Sequence, residues 1–122
     1  MPVRNPYIEF LVEQFSPIGQ ITSRAMFGGW CLYCDTTVFA LVANNALYLK
    51  ADGENRGRFV ERGLQPFKPF QDREEVMSYY QAPPEVFEDR EAMKEWVGGA
   101  VQAGIRSAQP RRARKKKPVL RR

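Results

Sequence analysis

Three closely spaced turn signals constrain the fold of this chain more than any other feature. Gly28-Gly29, Asp35-Thr36 and Asn44-Asn45 divide residues 21–50 into short runs rich in β-branched and aromatic residues. Connections this short join antiparallel strands, because parallel neighbours need a crossover of a dozen residues or more. The segment therefore predicts an antiparallel meander. Its predicted strands are Ile21–Phe27, Trp30–Cys34, Val38–Val42 and Ala46–Lys50.

Helical periodicity flanks this meander on both sides. Asn5 is a favourable N-cap for a helix whose first residue is Pro6, and Ser16-Pro17 ends the apolar pattern of that helix. Apolar residues from Met93 to Ile105 recur at helical spacing. They predict a second, longer helix from about Asp89 to Ala108, ended by Pro110.

The segment between the meander and the long helix carries weaker signals. Glu54–Arg62 predicts a short helix that Gly63 closes, since glycine adopts the left-handed conformation common after a helix. Two prolines make Gln65–Phe70 an irregular or edge segment, and Val76–Gln81 predicts a further strand before Pro83-Pro84. The expected fold class is α+β, a two-layer sandwich of an antiparallel sheet with helices packed on one face.

The charge of the chain is strongly partitioned along its length. At 122 residues the chain has the length of one domain. Residues 1–105 hold 10 basic and 14 acidic residues, a net charge of −4, whereas residues 106–122 hold 9 basic residues and no acid, a net charge of +9. We therefore predict a folded domain over residues 1–108 and a disordered basic tail over residues 109–122.

The basic tail is the clearest functional signal in the composition. Clustered Lys and Arg gain affinity for DNA or RNA by releasing counterions from the phosphates, largely without regard to sequence. No aromatic residue lies in the tail, so base stacking from it is not expected. The alternative is a solvated end without a partner. The candidate nucleic-acid-binding residues are Arg111, Arg112, Arg114, Lys115, Lys116, Lys117, Arg121 and Arg122.

Nothing in the sequence resembles a targeting or membrane segment. Charges interrupt the N-terminal apolar pattern, so a signal peptide is not predicted, and no run approaches the roughly 20 apolar residues that span a bilayer. The two cysteines then fit a reducing compartment. We expect a cytoplasmic protein that does not bind membranes.

Cys31 and Cys34 form a C-x-x-C motif, a spacing that occurs in metal and redox sites. Tetrahedral zinc needs four ligands, but the chain has no His and no third Cys. In an extended strand, residues three apart point to opposite faces, which separates the two sulfurs. Ordinary strand cysteines are the favoured interpretation, and a zinc ion bridging two copies or a redox pair are the alternatives. We predict no cofactor and no metal site.

The absence of histidine also lowers the expectation of enzymatic activity. Nucleophilic Ser or Cys usually recruits a His as base, and the acidic residues are scattered over predicted turns and helix starts. Gly28-Gly29 fits a hairpin turn better than a phosphate-binding loop, since neither phosphate-loop spacing is present. We predict no catalytic residues.

A possible partner surface centres on the first hairpin. Arg24 lies in an otherwise apolar strand, so it must reach solvent or a partner, and an ion pair with Asp52 or Glu54 is the leading alternative to a binding role. One of Tyr79 and Tyr80 is expected in the core, with its neighbour facing outward. The candidate partner-surface residues are Arg24, Phe27, Gly28, Gly29, Trp30 and Tyr80.

Several short motifs occur in the same order as in a known protein family. The run Arg24-Ala25-Met26-Phe27-Gly28-Gly29-Trp30-Cys31-Leu32-Tyr33 resembles the signature of the TfoX/Sxy family, specifically its N-terminal domain. Further matches are Phe39-Ala40-Leu41-Val42, Leu47-Tyr48-Leu49-Lys50-Ala51-Asp52, Pro66-Phe67, Met77-Ser78-Tyr79-Tyr80 and Trp96. The resemblance covers about residues 5–107.

The resemblance implies a cytoplasmic, bacterial α+β domain linked to transcription regulation and competence for DNA uptake, alongside the cyclic-AMP receptor protein. The resemblance implies no catalytic residues for this chain. Family regulators add a C-terminal helical domain, and we expect a basic tail in its place here. We therefore expect a regulatory or adaptor domain that binds a protein partner through its body and DNA or RNA through its tail. The alternatives are a structural or homodimeric interaction protein and a small metal or redox protein that uses the C-x-x-C motif.

Overall fold

The computed structural model describes residues 5–26, 29–68 and 78–108, and they form one antiparallel sheet with helices against it. The strands are β1 (Ile21–Met26), β2 (Gly29–Cys34), β3 (Thr37–Ala43), β4 (Ala46–Lys50) and β5 (Tyr79–Gln81). The helices are α1 (Pro6–Gln14), α2 (Arg56–Glu61), α3 (Glu85–Glu88) and α4 (Arg90–Ser107). The predicted α+β class is confirmed.

The strands follow the chain order β1-β2-β3-β4-β5, and every neighbouring pair is antiparallel, as the short turns predict. Asn44 and Asn45 both have positive φ, 53° and 60°, which gives the β3–β4 turn the twist that a two-residue hairpin needs. Asp35, with φ 57°, has the same role between β2 and β3.

The start of α1 and the end of α2 follow the predicted cap chemistry. The Asn5 carboxamide oxygen accepts hydrogen bonds from the backbone N–H groups of Tyr7 (2.9 Å) and Ile8 (3.3 Å). Phe15 follows α1 as its C-cap. Gly63, with φ 71°, follows α2 in the left-handed conformation.

Two helices differ from the predictions. Helix α2 begins at Arg56, not Glu54, because the side chains of Asp52 and Asn55 hold the preceding residues in a turn. Helix α3 was not predicted, because Pro83-Pro84 was interpreted as a terminator; Pro84 instead serves as the N-cap of this four-residue helix. A proline at a helix start is tolerated because its missing N–H has no partner there.

The edge next to β5 matches the sequence prediction where the chain is described. Strand β5 covers Tyr79–Gln81, and residues 76 and 77 of the predicted strand lie outside the described residues. Pro66 forms an isolated bridge to Tyr80, and the N–H of Phe67 donates to the Tyr79 carbonyl at 2.8 Å. Residues 65–67 thus cover the outer edge of β5.

One hydrophobic core joins all four helices to a single face of the sheet. In β4 this face carries Leu47 and Leu49, whereas the alternate residue Tyr48 is not part of the core. A β-bulge between Leu32 and Tyr33 in the β2–β3 register lets consecutive Phe39 and Ala40 both reach complete burial. Helix α4 packs across β3 and β4.

Helix α4 approaches the sheet closely at Gly104. A Cβ atom on this residue would overlap the Val38 carbonyl oxygen and crowd the Thr37 side chain at 2.7 Å. Glycine is therefore required for this helix to lie at its observed height above the sheet.

Candidate functional site

The sheet surface opposite the helices, called the outer face below, is the main candidate site. The core residues Leu47 and Leu49 assign the alternate residues Tyr48 and Lys50 of β4 to the outer face. The strand registers extend this assignment across the sheet. The outer face is lined by Thr22, Arg24, Cys31, Tyr33, Leu41, Tyr48, Lys50, Tyr79 and Gln81.

Charge is distributed unequally between the two layers. The residues of strands β1 to β5 include no Asp or Glu, and their charged side chains are Arg24 and Lys50. Both lie on the outer face. The described helices, by contrast, carry Glu9, Glu13 and five further glutamates, and Asp89 caps α4. These five glutamates are Glu61, Glu85, Glu88, Glu91 and Glu95, and Glu54 lies in the turn that leads into α2. The outer face is therefore basic within a mildly acidic body.

Aromatic rings cover the β4–β5 side of the outer face. The Tyr79 side chain is buried and the Lys50 ammonium lies 4.9 Å from its ring centroid, a cation–π contact. Burial, with smaller contributions from Cys31 and Tyr33, raises the pKa of Tyr79 to about 12, so its phenol stays neutral. Tyr48 and Phe67 form a tilted ring pair with centroids 5.0 Å apart.

A shallow polar depression of about 290 Å³ lies at the β1–β2 end of this surface. Arg24 and Tyr33 contribute from the outer face, and the Asp35 turn closes the far side. Its lining residues are Thr22, Ser23, Arg24, Tyr33, Asp35 and Thr36. One guanidinium, hydroxyl groups and one carboxylate give this depression both donors and acceptors.

The structure places the two cysteines on opposite faces of β2, as the strand geometry predicts. Cys34 belongs to the core, whereas Cys31 lies on the outer face, in register with Arg24. Burial raises the pKa of both thiols; the Arg24 charge partly offsets this for Cys31, and the Asp35 carboxylate adds to it for Cys34. Across residues 5–26, 29–68 and 78–108, no three His, Cys, Asp or Glu side chains cluster as metal ligands do.

The predicted ion pair of Arg24 with Asp52 or Glu54 is wrong. Both carboxylates face Arg106 in the last turn of α4: its Nε and Nη2 donate to Asp52 at 2.6 and 3.0 Å, and Glu54 lies 3.6 Å away. These hydrogen bonds hold the pKa of the Asp52 carboxyl below its usual range. Arg24 remains exposed to solvent on the outer face.

Asn55 completes the link between this loop and α4. Its carboxamide accepts from the Asp52 N–H at 2.7 Å and donates to the carbonyl oxygens of Lys50 (3.1 Å) and Gly99 (3.4 Å). The periodicity and turn patterns of the sequence do not predict this cluster. The available signal was a basic residue in the last helical turn, where it also complements the helix dipole.

The predicted partner surface is not brought together as one patch. Trp30 and Tyr80 both pack against the core on the helix side, and the Tyr80 ring stacks on Phe59 at 5.4 Å. Two strands separate them, because Trp30 is in β2 and Tyr80 is in β5. Gly29 permits a close approach, since a Cβ there would lie 2.5 Å from the Val42 carbonyl oxygen. Phe27 and Gly28 lie outside the described residues, as does the whole basic tail from residue 109 onward.

Within the described part of the chain, none of the helices combines the length and the apolar character needed to cross a membrane.

Comparison with known proteins agrees with the ordered motifs. Over 51 residues, the chain is 39% identical to the DNA transformation protein TfoX1 of Aliivibrio fischeri (strain ATCC 700601 / ES114). That alignment covers 42% of this chain and 24% of the relative, so the chain matches about a quarter of the length of that curated protein. The family model of the TfoX N-terminal domain matches residues 13–104. The chain therefore belongs to the TfoX N-terminal domain family.

Proposed function

We propose that this chain is a regulatory or adaptor domain that acts by binding, with the body engaging a protein partner and the basic tail adding sequence-independent affinity for nucleic acid. Its family membership supports the regulatory part, since its relative is a DNA transformation protein. The charge partition supports the proposed nucleic-acid binding, because the net charge is −4 over residues 1–105 and +9 over residues 106–122.

The contribution of the tail follows from counterion release. Each duplex phosphate that a Lys or Arg neutralises makes the logarithm of the binding constant fall by about 0.9 per logarithm of salt concentration. Arg106 is paired with Asp52, which leaves the 8 basic residues from Arg111 to Arg122 for phosphate contacts. A mildly acidic body repels the same phosphates, so the tail is the expected source of duplex affinity.

The experiment compares duplex DNA binding by two full-length variants with equal loss of charge. One replaces Lys115, Lys116 and Lys117 with Gln; the control replaces Arg56, Arg90 and Lys94, exposed basic residues on the helix side. In fluorescence anisotropy at about 100 mM salt, the dissociation constant of the tail variant should be at least about tenfold higher than that of wild type. The dissociation constant of the control should change little. Equal effects of both variants would contradict the proposed role of the tail.

The body requires a separate test. Photo-crosslinking tests for a protein partner at the first hairpin. For this experiment a photoreactive amino acid replaces Trp30, which is half-buried in the β1–β2 hairpin. A specific crosslink to one protein, abolished by unlabelled wild-type chain, would support a partner at this hairpin. A crosslinking pattern identical to that of the same probe at Phe10, on the opposite layer, would contradict it.

A homodimer is the second candidate function, and the edge of β1 favours it. In the part of the chain that the structure describes, no strand pairs with the outer edge of β1, and Thr22, Ser23 and Ala25 are exposed there. Such edges pair readily with another strand. Light scattering should then give a dimer mass at tens of micromolar that falls to a monomer when Ser23 is replaced by Pro, which removes an N–H from the edge.

A further inference from the structure

We infer that the outer face of the sheet is a binding platform for single-stranded nucleic acid, in which Tyr33 and Tyr48 stack on bases and Arg24 contacts the backbone. This site is separate from the tail. It goes beyond the proposed function because it recognises unpaired bases, whereas the tail contacts phosphates. Three features of the outer face support this site: its basic charge, its tyrosine rings and the polar depression beside Arg24.

Charge complementarity favours a polyanion as the ligand of the outer face. Its strands carry Arg24 and Lys50 and no acidic residue, although the body as a whole is net negative. Lys68, just beyond Phe67, is exposed next to the same edge of the sheet. The acidic side chains of the described helices lie on the other layer, behind the core. A negatively charged chain therefore meets its most favourable potential on the outer face.

The rings select unpaired bases over a duplex. Every base has an aromatic face, so tyrosines on a sheet bind single strands by stacking, whereas the stacked bases of a duplex do not expose these faces. Tyr33 in β2 and Tyr48 in β4 are half-buried and so present part of their rings to solvent, whereas Tyr79 in β5 is buried. Phe67 supports the Tyr48 ring from the side at 5.0 Å. The two half-buried rings thus provide two stacking positions.

The spacing of these two positions leaves room for a separate unpaired base on each ring. Tyr33 and Tyr48 lie two strands apart, which is about 9.6 Å across the sheet, and they are offset by two residues along it, about 6.8 Å. The Cα atoms are therefore about 12 Å apart, a span that the long tyrosine side chains reduce or extend by their tilt. Small sheet domains that bind RNA stack two or three bases in this way.

The depression beside Arg24 supplies polar contacts at one end of this platform. The Arg24 guanidinium is exposed and suits a phosphate oxygen, because it offers several donors in a planar fork. The hydroxyls of Thr22 and Thr36 and the Asp35 carboxylate line the same depression. These groups are suited to the amino and imino groups at the edge of a base stacked on Tyr33.

The test measures anisotropy of a labelled oligothymidylate of about 15 nucleotides with the full chain at about 300 mM salt, where the electrostatic contribution of the tail is strongly reduced. Tyr33→Leu and Tyr48→Leu should each weaken binding about fivefold or more, because stacking persists at this salt concentration. Tyr33→Phe and Tyr48→Phe keep a ring and should bind within about twofold of wild type. Arg24→Gln should weaken single-strand binding and lower its salt dependence by about 0.7.

Matched controls are available on the helix side. Phe10→Leu removes an exposed ring from α1, and Arg56→Gln removes an exposed charge from α2; both should bind the oligonucleotide like wild type. Duplex DNA of the same length distinguishes this site from the tail, since the tyrosine variants should leave its affinity unchanged.

Three results would overturn the inference. These are leucine variants that bind the oligonucleotide as tightly as the phenylalanine variants, equal losses on single-stranded and duplex DNA, or no single-strand binding by wild type at this salt concentration. The second result would also contradict the assignment of duplex affinity to the tail, whereas the first and third leave that assignment unchanged, so failure of the platform is distinguishable from failure of the tail.

Discussion

The same substitution is expected to have opposite effects at two positions of α4. Replacing Gly98 with Ala adds a methyl group that meets no atom within 4 Å, whereas the same change at Gly104 drives the methyl group into the Val38 carbonyl oxygen of β3. Both residues lie inside the helix, which runs from Arg90 to Ser107. The comparison isolates the helix–sheet contact from the intrinsic preference of the helix for alanine.

The expected magnitudes follow from two opposing terms. Alanine is favoured over glycine inside a helix by about 0.5 to 1 kcal/mol, so Gly98→Ala should stabilise the protein by about this amount. At Gly104 overpacking costs about 1 to 3 kcal/mol, and the upper half of this range applies because a strand backbone cannot move aside as a side chain does. The net effect of Gly104→Ala is a loss of about 1 to 2 kcal/mol.

Thermal unfolding followed by circular dichroism measures both effects. We expect the melting temperature to rise by a few degrees for Gly98→Ala and to fall by about 5 to 10 °C for Gly104→Ala. Gly99→Ala is the matched control, since its methyl group would meet only the Asn55 amide nitrogen at an ordinary 3.9 Å. A Gly104→Ala protein as stable as wild type would refute the argument that this glycine sets the height of α4.

Three further predictions concern the ion-pair cluster, the cysteines and the first helix. Because Arg106 lowers the folded-state pKa of Asp52, the stability that this carboxylate contributes is complete above its unfolded pKa near 3.9 and is lost as the pH falls through the folded value. Asp52→Asn should therefore cost about 1 to 2 kcal/mol in urea unfolding at pH 7, and the difference from wild type should shrink as the pH falls below the unfolded pKa; a difference that stays constant with pH would contradict this assignment. Burial of Cys31 and Cys34 should keep both thiols unreactive toward a colorimetric disulfide reagent until denaturant is added, and rapid labelling of the folded protein would argue against the placement of both. Asn5→Ala should lower the free energy of unfolding by about 1 kcal/mol, whereas Asn5→Ser should nearly preserve it.

The sheet was predictable because its determinants are local. The turn residues at Asp35 and at Asn44-Asn45 fix short antiparallel connections, and apolar alternation orients the strands between them. The cap at Asn5 and the left-handed Gly63 likewise depend on a few neighbouring residues. For such features the sequence within one or two turns of the chain decides the structure.

The ion-pair cluster was not predictable because its partners are distant in sequence. Asp52 and Arg106 are 54 residues apart, and only the packing of α4 over the end of β4 brings them together. Arg24 was assigned to Asp52 on charge alone, without the information that the two lie on different layers. The bulge that buries Phe39 beside Ala40 similarly depends on strand register and packing, which alternation does not encode.

The two tyrosines show the same limit on a smaller scale. Strand alternation predicts that Tyr79 and Tyr80 face opposite sides, but it does not say which side receives the helices. The contact of Tyr80 with Phe59 of α2 settles the orientation and places Tyr79 on the outer face. The candidate platform around Tyr33 and Tyr48 became visible only after this assignment.

The salt dependence of duplex DNA binding by the full chain tests the central claim most directly. Anisotropy titrations from about 50 to 300 mM salt should give a logarithmic slope of several units, and the variant with Lys115, Lys116 and Lys117 replaced by Gln should show a slope smaller by about 2 to 3 units. The helix-side variant with Arg56, Arg90 and Lys94 replaced should keep the wild-type slope. A wild-type slope near zero, or no duplex binding at 50 mM salt, would contradict the account of this chain as a binding domain with a nucleic-acid arm.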